Sequence, residues 1–180
     1  MQYEVPVYCD VDVLGVGGST GAVAAAMAAA RQGMNVFCVS TFPYFGEDIC
    51  SYGRYWFDPA SVNVNPLGEQ LYQACAAVEG RVPRPMEVKY PLERALIDAE
   101  IPFLYQSFPV ALMRDAEGQV GGCVFANRSG FLAVRAKTVI DATDRALVGR
   151  MTRAGFSAFQ PGKYTFERVV VTTGTPPEPR

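Results

Sequence analysis

The chain has 180 residues, 49% apolar and 19% charged, with a formal net charge of −2 and no histidine. That length and hydropathy suit one globular domain with a sizeable core, and the charge balance, without any basic run, argues against a nucleic-acid partner. The lack of histidine excludes Ser-His-Asp and Cys-His catalysis and histidine-ligated metals within these residues.

No apolar run is long enough to span a bilayer. The opening MQYEVPVYCD shows no charged segment followed by an apolar one, so the expected address is cytoplasmic. Cys9, Cys38, Cys50, Cys75 and Cys123 are scattered with no C-x-x-C pair. They read as free buried thiols rather than a disulfide frame or a zinc site, and no metal is expected.

After a short leader, Val11 to Val16 reads as a buried strand. Gly17-Gly18-Ser19-Thr20-Gly21 follows as a tight turn of small residues, and the Ala-rich run from Ala22 to Ala30 reads as a helix ended near Gly33. Val36 to Val39 is a second strand. Strand, glycine turn, helix and strand in this spacing form the sequence outline of a dinucleotide-binding βαβ unit. The turn lets backbone N–H groups approach a diphosphate, and the helix directs its unpaired amides and positive dipole end at the same anion.

Two registers compete. Counting from Gly15 places Thr20 at the close-packing position, whereas counting from Gly17 gives Gly17-x-Ser19-x-x-Ala22 and keeps the helix spacing intact. The second is preferred. It puts Ser19 in place of the middle glycine and Ser40 where an acidic residue would hold an adenosine ribose. A βαβ crossover with no ligand would share the same outline.

Thr41 to Cys50 is a loop past the carboxyl end of the second strand, the edge where open α/β sheets bind ligands. Gly46-Glu47-Asp48 there leads into a short helix. Tyr52, Tyr55, Trp56 and Phe57 surround Arg54. They read either as aromatic core with an arginine at its rim or as a surface for a planar ring and an anion. Residues 66–79 carry helical apolar spacing at Leu67, Leu71, Cys75 and Val78. Residues 80–86 read as a loop, and a second helix starts at Pro91 with Leu92, Ala95, Leu96 and Ala99 on one face.

Ile101 to Tyr105 is a buried strand. Pro109–Arg114, Val120–Asn127 and Phe131–Arg135 follow as three strands joined by Asp115–Gly118 and Arg128–Gly130 turns. The expected fold is therefore α/β, a Rossmann-like parallel sheet with an antiparallel β-meander inserted at about 107–136, resuming at Val139. Tyr164 to Thr173 reads as a final strand before a Pro-rich tail.

The glycine turn and its helix, GEDIC at 46–50, ANRSG within the meander and VIDATDRA at 139–146 together resemble the amino-terminal part of FAD-dependent oxidoreductases of the glutathione-reductase-like superfamily. The likeness is closest to the broad bacterial "FAD dependent oxidoreductase" group, whose fingerprint often reads GGTxGG. The resemblance implies that Gly17, Gly18, Ser19 and Thr20 hold the FAD diphosphate and that Ser40 and Thr41 face the ribose. Gly46, Glu47 and Asp48 would lie along the ribityl–diphosphate path, with the Val110 backbone at the adenine. Ala142, Thr143 and Asp144 match a late Ala-Thr-Gly-Asp motif, here without its glycine.

Such proteins are longer. Residues 1–155 are accordingly expected to form the FAD-binding domain, and 156–180 to begin a substrate domain completed by a second protein chain in a hetero-oligomer. The implied activity is hydride transfer from a small organic substrate (an alcohol, amine or sugar) to FAD, with no catalytic residue identified in this chain. Tyr52, Arg54 and Tyr55 are candidates to lie near the flavin. Cys50 reads either as an inert thiol or as a flavin anchor. The other readings are a flavin-free Rossmann scaffold that stabilises a catalytic partner and, disfavoured by the meander, a nicotinamide-dependent enzyme.

Overall fold

The computed structural model describes residues 4–53, 55, 67–69, 71 and 84–166. These form one six-stranded sheet with helices against it. In chain order the elements are β1 (Val7–Val16), α1 (Thr20–Arg31), β2 (Val36–Val39), α2 (Glu47–Cys50), α3 (Pro85–Asp98), β3 (Phe103–Leu104), β4 (Phe108–Arg114), β5 (Val120–Asn127), β6 (Gly130–Asp141) and α4 (Leu147–Met151). The strand order is β3-β2-β1-β6-β5-β4. β1 runs parallel to β2 and β6, β2 runs parallel to β3, and β4–β5 and β5–β6 are antiparallel hairpins. The expected α/β Rossmann-like sheet with an antiparallel meander is what forms.

β1 is central, so its last four residues, Val13–Val16, are all buried and read as an apolar run. Val13, Val36 and Cys38 face one core with Val23, Ala26 and Ala29 of α1 and Val88, Leu92 and Leu96 of α3. Leu14, Val16, Phe37 and Val39 face the other, with Cys123, Phe125, Val134 and Val148. The alternation follows the two-residue period of a pleated strand. Small side chains at Ala22 and Ala26, each 2% exposed, let α1 lie close on the sheet.

Three expectations change. The third meander strand and the strand that resumes at Val139 are one element, β6, which pairs with β5 along Gly130–Arg135 and with β1 through to Asp141. Within the joined strand, the Lys137 ammonium reaches Asp12 on β1 at 2.6 Å. The second amphipathic helix begins at Pro85, not Pro91, with the Arg84 N–H donating to Glu87 Oε2 at 2.8 Å. Pro91 then sits inside the helix. It removes a donor, and the fully buried Val88, Leu92 and Leu96 on either side of it hold the helix to the core. Tyr164–Phe166 lie outside any strand and are exposed; the rest of the expected final strand falls outside the described residues, as do most of 66–79 and Arg54, Trp56 and Phe57.

Candidate cofactor site

The carboxyl ends of β1, β2 and β6 converge on one corner. There β1 gives way to Gly17, whose N–H donates to Val39 O at 2.8 Å. Gly17 has φ +130°, and a Cβ on it would fall 2.9 Å from the Thr143 nitrogen and closer still to the Ala142 carbonyl. Only glycine suits both the conformation and the space. Gly15 instead lies within β1, paired with Cys38 and Ile140. The preferred register, counted from Gly17, is the one the chain adopts.

Gly18 is buried beside it. Its carbonyl accepts from the amides of Gly46 (2.6 Å) and Glu47 (3.2 Å), and a Cβ would collide with Ser40 Oγ. Both glycines therefore let two loops close around the end of β1. Ser19 caps α1: its Oγ accepts from the Ala22 N–H at 3.2 Å and donates to Ala142 O at 3.0 Å. Thr20 opens the helix, and both of its donors meet one carboxylate. Its N–H reaches Asp48 Oδ1 at 2.9 Å and its hydroxyl reaches Asp48 Oδ2 at 2.6 Å.

Asp48 comes from α2, whose entry needs Gly46 in a left-handed conformation, φ +93°. Next to it, Glu47 is only 7% exposed, and its Oε2 has no hydrogen-bond partner. Burial pushes its carboxyl above the ordinary range. The Gly18 amide pulls the other way, and Asp144 and Asp48 add to the upward shift. An unpartnered carboxyl oxygen this deeply buried is unusual in a folded chain and suits a group that meets a ligand.

The third side is the turn after β6. The Ala142 N–H bonds Val16 O at 2.7 Å. Asp141 organises this turn, accepting from the N–H and hydroxyl of Thr143 and from the Gly149 N–H at 2.7 Å. Asp141 lies in the VIDATDRA stretch without a role expected of it; its carboxylate ties the turn to the Gly149 amide of α4, eight residues on.

Between these three sides lies a cleft of about 480 Å³. Ser19, Glu47, Asp48, Ala142, Thr143 and Asp144 line it, together with Gly21, Phe42, Ser51 and Tyr52. Six of the thirteen expected site residues thus share one hollow, with Gly17, Gly18 and Gly46 buried behind it and Thr20 joined to it through Asp48. Gly21, Phe42 and Ser51 were not expected. A bare second position in a helix was the available signal for Gly21. No lysine or arginine occurs among the described lining residues, so the cleft is acidic.

Ser40, Thr41 and Val110 are placed differently. The Ser40 side chain is 0% exposed; its hydroxyl donates to Tyr44 O and accepts from the Phe42 N–H, both at 3.1 Å. It locks its own loop, which leaves no free group for a ribose, while Thr41 is partly exposed beside it. Val110 lies on β4, three strands from β1, in an irregular stretch between Pro109 and Ala111. Cys50 is half-buried, its thiol directed to Pro85 O at 3.7 Å and pushed up chiefly by burial. It is poorly suited to act as a nucleophile.

A family model described as FAD dependent oxidoreductase matches residues 12–168. Among solved structures, Pseudomonas aeruginosa PqsL in complex with 2-aminobenzoylacetate is similar at 19% identity and a TM-score of 0.57, over 85% of this chain and 48% of that one. Thermovibrio ammonificans THI4 is similar at 21% identity and 0.53, over 80% and 62% respectively. The chain thus spans about half to three fifths of the length of these two proteins, and the likeness to them is one of fold. No curated protein sequence matches it. No helix among the described residues is long and apolar enough to cross a membrane.

Proposed function

This chain belongs to the FAD-dependent oxidoreductase family, and on that premise we propose that the cleft at the tip of α1 is where it holds the FAD diphosphate. The observation that carries the reading is the cleft itself: it opens at the tip of α1 between the carboxyl ends of β1 and β6, lined by Ser19, Gly21 and Ala142–Asp144, in a chain whose family match covers residues 12–168. The cradle fits the group in one further way: Gly21, at the second position of α1, puts no side chain into the cleft.

On this reading Ser19, Thr20 and Gly21 bind the diphosphate, and Ala142–Asp144 close over it from the β6 side. Thr41 is left to meet the ribose, with Ser40 fixing its loop, and the Val110 backbone is the contact proposed for adenine. Glu47 and Asp48 lie along the ribityl path, and Phe42 and Tyr52 are the aromatic side chains lining the cleft. Bound FAD supplies a hydride acceptor for a C–H bond of a small alcohol, amine or sugar. The residues described here orient the cofactor and shield it from water. Polypeptide outside the described residues, with a partner chain as its proposed source, completes the substrate side.

The flavin-free scaffold remains a second reading, favoured by Asp48 on the helix tip and by an acidic lining without a cation. One experiment separates the two. The purified full chain should show visible flavin absorption, or gain it on adding FAD, and should release the flavin on denaturation. A chain that stays free of flavin at saturating FAD would overturn the cofactor reading.

A further inference from the structure

The cleft described above holds one contact that an FAD site does not need. Asp48 occupies the donors of Thr20 at the first turn of α1, a helix of 12 residues, with both carboxylate oxygens. It reaches them from a separate element 28 residues away. A short strap at 45–50 brings it there, pinned by the Gly46 and Glu47 amides on Gly18 O and by Phe45 and Ile49 in the core. The carboxylate is therefore held in place by the fold.

An arriving diphosphate would bring two negative charges to the same helix end. Asp48, Glu47 and Asp144 line that hollow, and the described lining residues supply no cation to offset them. The amides of a helix tip form a small donor set, and two oxyanions competing for it cannot both be fully satisfied. Glu47 gives independent evidence that the hollow is shaped for a ligand. It is more than nine-tenths buried, lines the cleft and has an oxygen with no partner. The protein has thus satisfied the helix tip from within while leaving one oxygen of the adjacent carboxyl without a partner.

We infer that Asp48 is an internal anion that competes with the FAD diphosphate for the amino-terminal end of α1, so that cofactor binding proceeds by exchange and the Asp48 charge lowers FAD affinity. Asp48 is in this sense a positioning residue for the unloaded site. The inference rests on the placement of FAD proposed above.

The test is FAD titration of the full chain, followed by flavin fluorescence, for the wild type, Asp48→Asn and Asp48→Ser. Asparagine keeps the size and the capacity to accept from the Thr20 N–H; serine removes the reach as well as the charge. Both variants should bind FAD more tightly, by about tenfold for asparagine, and both should melt at lower temperature without cofactor because α1 loses its anion. Inorganic diphosphate should raise the melting temperature of the variants more than that of the wild type. Opposite signs for affinity and unloaded stability are the signature, since a purely structural role would lower both. FAD binding by the wild type with equal or weaker binding by both variants overturns this inference alone. Failure of all three to bind FAD overturns the placement of FAD together with it.

Discussion

Replacing Gly17 by alanine, with Gly15→Ala as its partner experiment, tests how the end of β1 is built. At Gly17 the added methyl would sit 2.9 Å from the Thr143 nitrogen and closer to the Ala142 carbonyl, atoms of backbone that cannot swing aside. The residue would also be held at φ +130°, a conformation that L side chains rarely adopt. Backbone strain of this kind and overpacking in a close-packed interior together cost about 3–5 kcal/mol. At Gly15 the same methyl meets Cys38 Sγ at 3.4 Å, an ordinary contact with a side chain, and φ is unremarkable. That substitution should stay within about 1 kcal/mol of the wild type. For a chain of this size the difference corresponds to a gap in melting temperature of roughly 10 °C. Thermal unfolding by circular dichroism without cofactor, with urea midpoints as a second measure, reads it. Equal midpoints, or a larger loss from Gly15→Ala, would refute the register and the crowding at Ala142 together.

Ser40→Ala should lower stability by about 1–3 kcal/mol, because it strips partners from the Phe42 N–H and Tyr44 carbonyl in a buried loop; a neutral urea midpoint would show that the hydroxyl does not lock the loop. Glu47 gives a pH test. A carboxyl whose folded pKa is raised binds more protons folded than unfolded, so its contribution falls as pH climbs from the ordinary value of 4.5 through the folded pKa. Glu47→Gln should therefore remove part of the loss of stability on going from acid to neutral pH and be the more stable form at pH 7; parallel urea-midpoint profiles would contradict this. Pro91→Ala should raise stability by up to about 3 kcal/mol by restoring a helix donor and relieving the ring; a lower melting temperature would show that Pro91 shapes α3 in a way the packing of Leu92 does not reveal.

Legibility in the sequence tracks the range of the forces involved. The βαβ unit is legible because each piece is local: Val11–Val16 as an apolar run, Ser19 as a cap, the alanines at helical spacing, Gly33 with its positive φ past the helix end. The hairpin turns are legible for the same reason, Gly118 and Gly130 both adopting positive φ. β6 reads as two strands, Phe131–Arg135 and a run resuming at Val139, whereas pairing with β1 and the ion pair from Lys137 to Asp12 carry the strand through. Pro91 suggests a helix start; the buried side chains on both sides of it decide otherwise, and their partners lie on other elements.

The site shows the same division. The glycine turn and its helix point to Ser19, while Glu47, Asp48 and Ala142–Asp144 are gathered by the family resemblance of GEDIC and VIDATDRA, stretches that follow the carboxyl ends of β2 and β6. Ser40 stands at such an end too, yet its hydroxyl is taken by the Phe42–Tyr44 turn, a consequence of how the loop folds back on β2. The Asp48–Thr20 contact and the unpartnered Glu47 oxygen are side-chain facts between distant residues, and no local pattern announces them.

The most direct test is a crystal structure of the full chain with FAD. The account predicts the diphosphate oxygens within hydrogen-bond distance of the backbone amides of residues 19–21, with Gly17 and Gly18 beneath them. A nucleotide bound elsewhere on the chain, or a helix tip without diphosphate at saturating FAD, would contradict it.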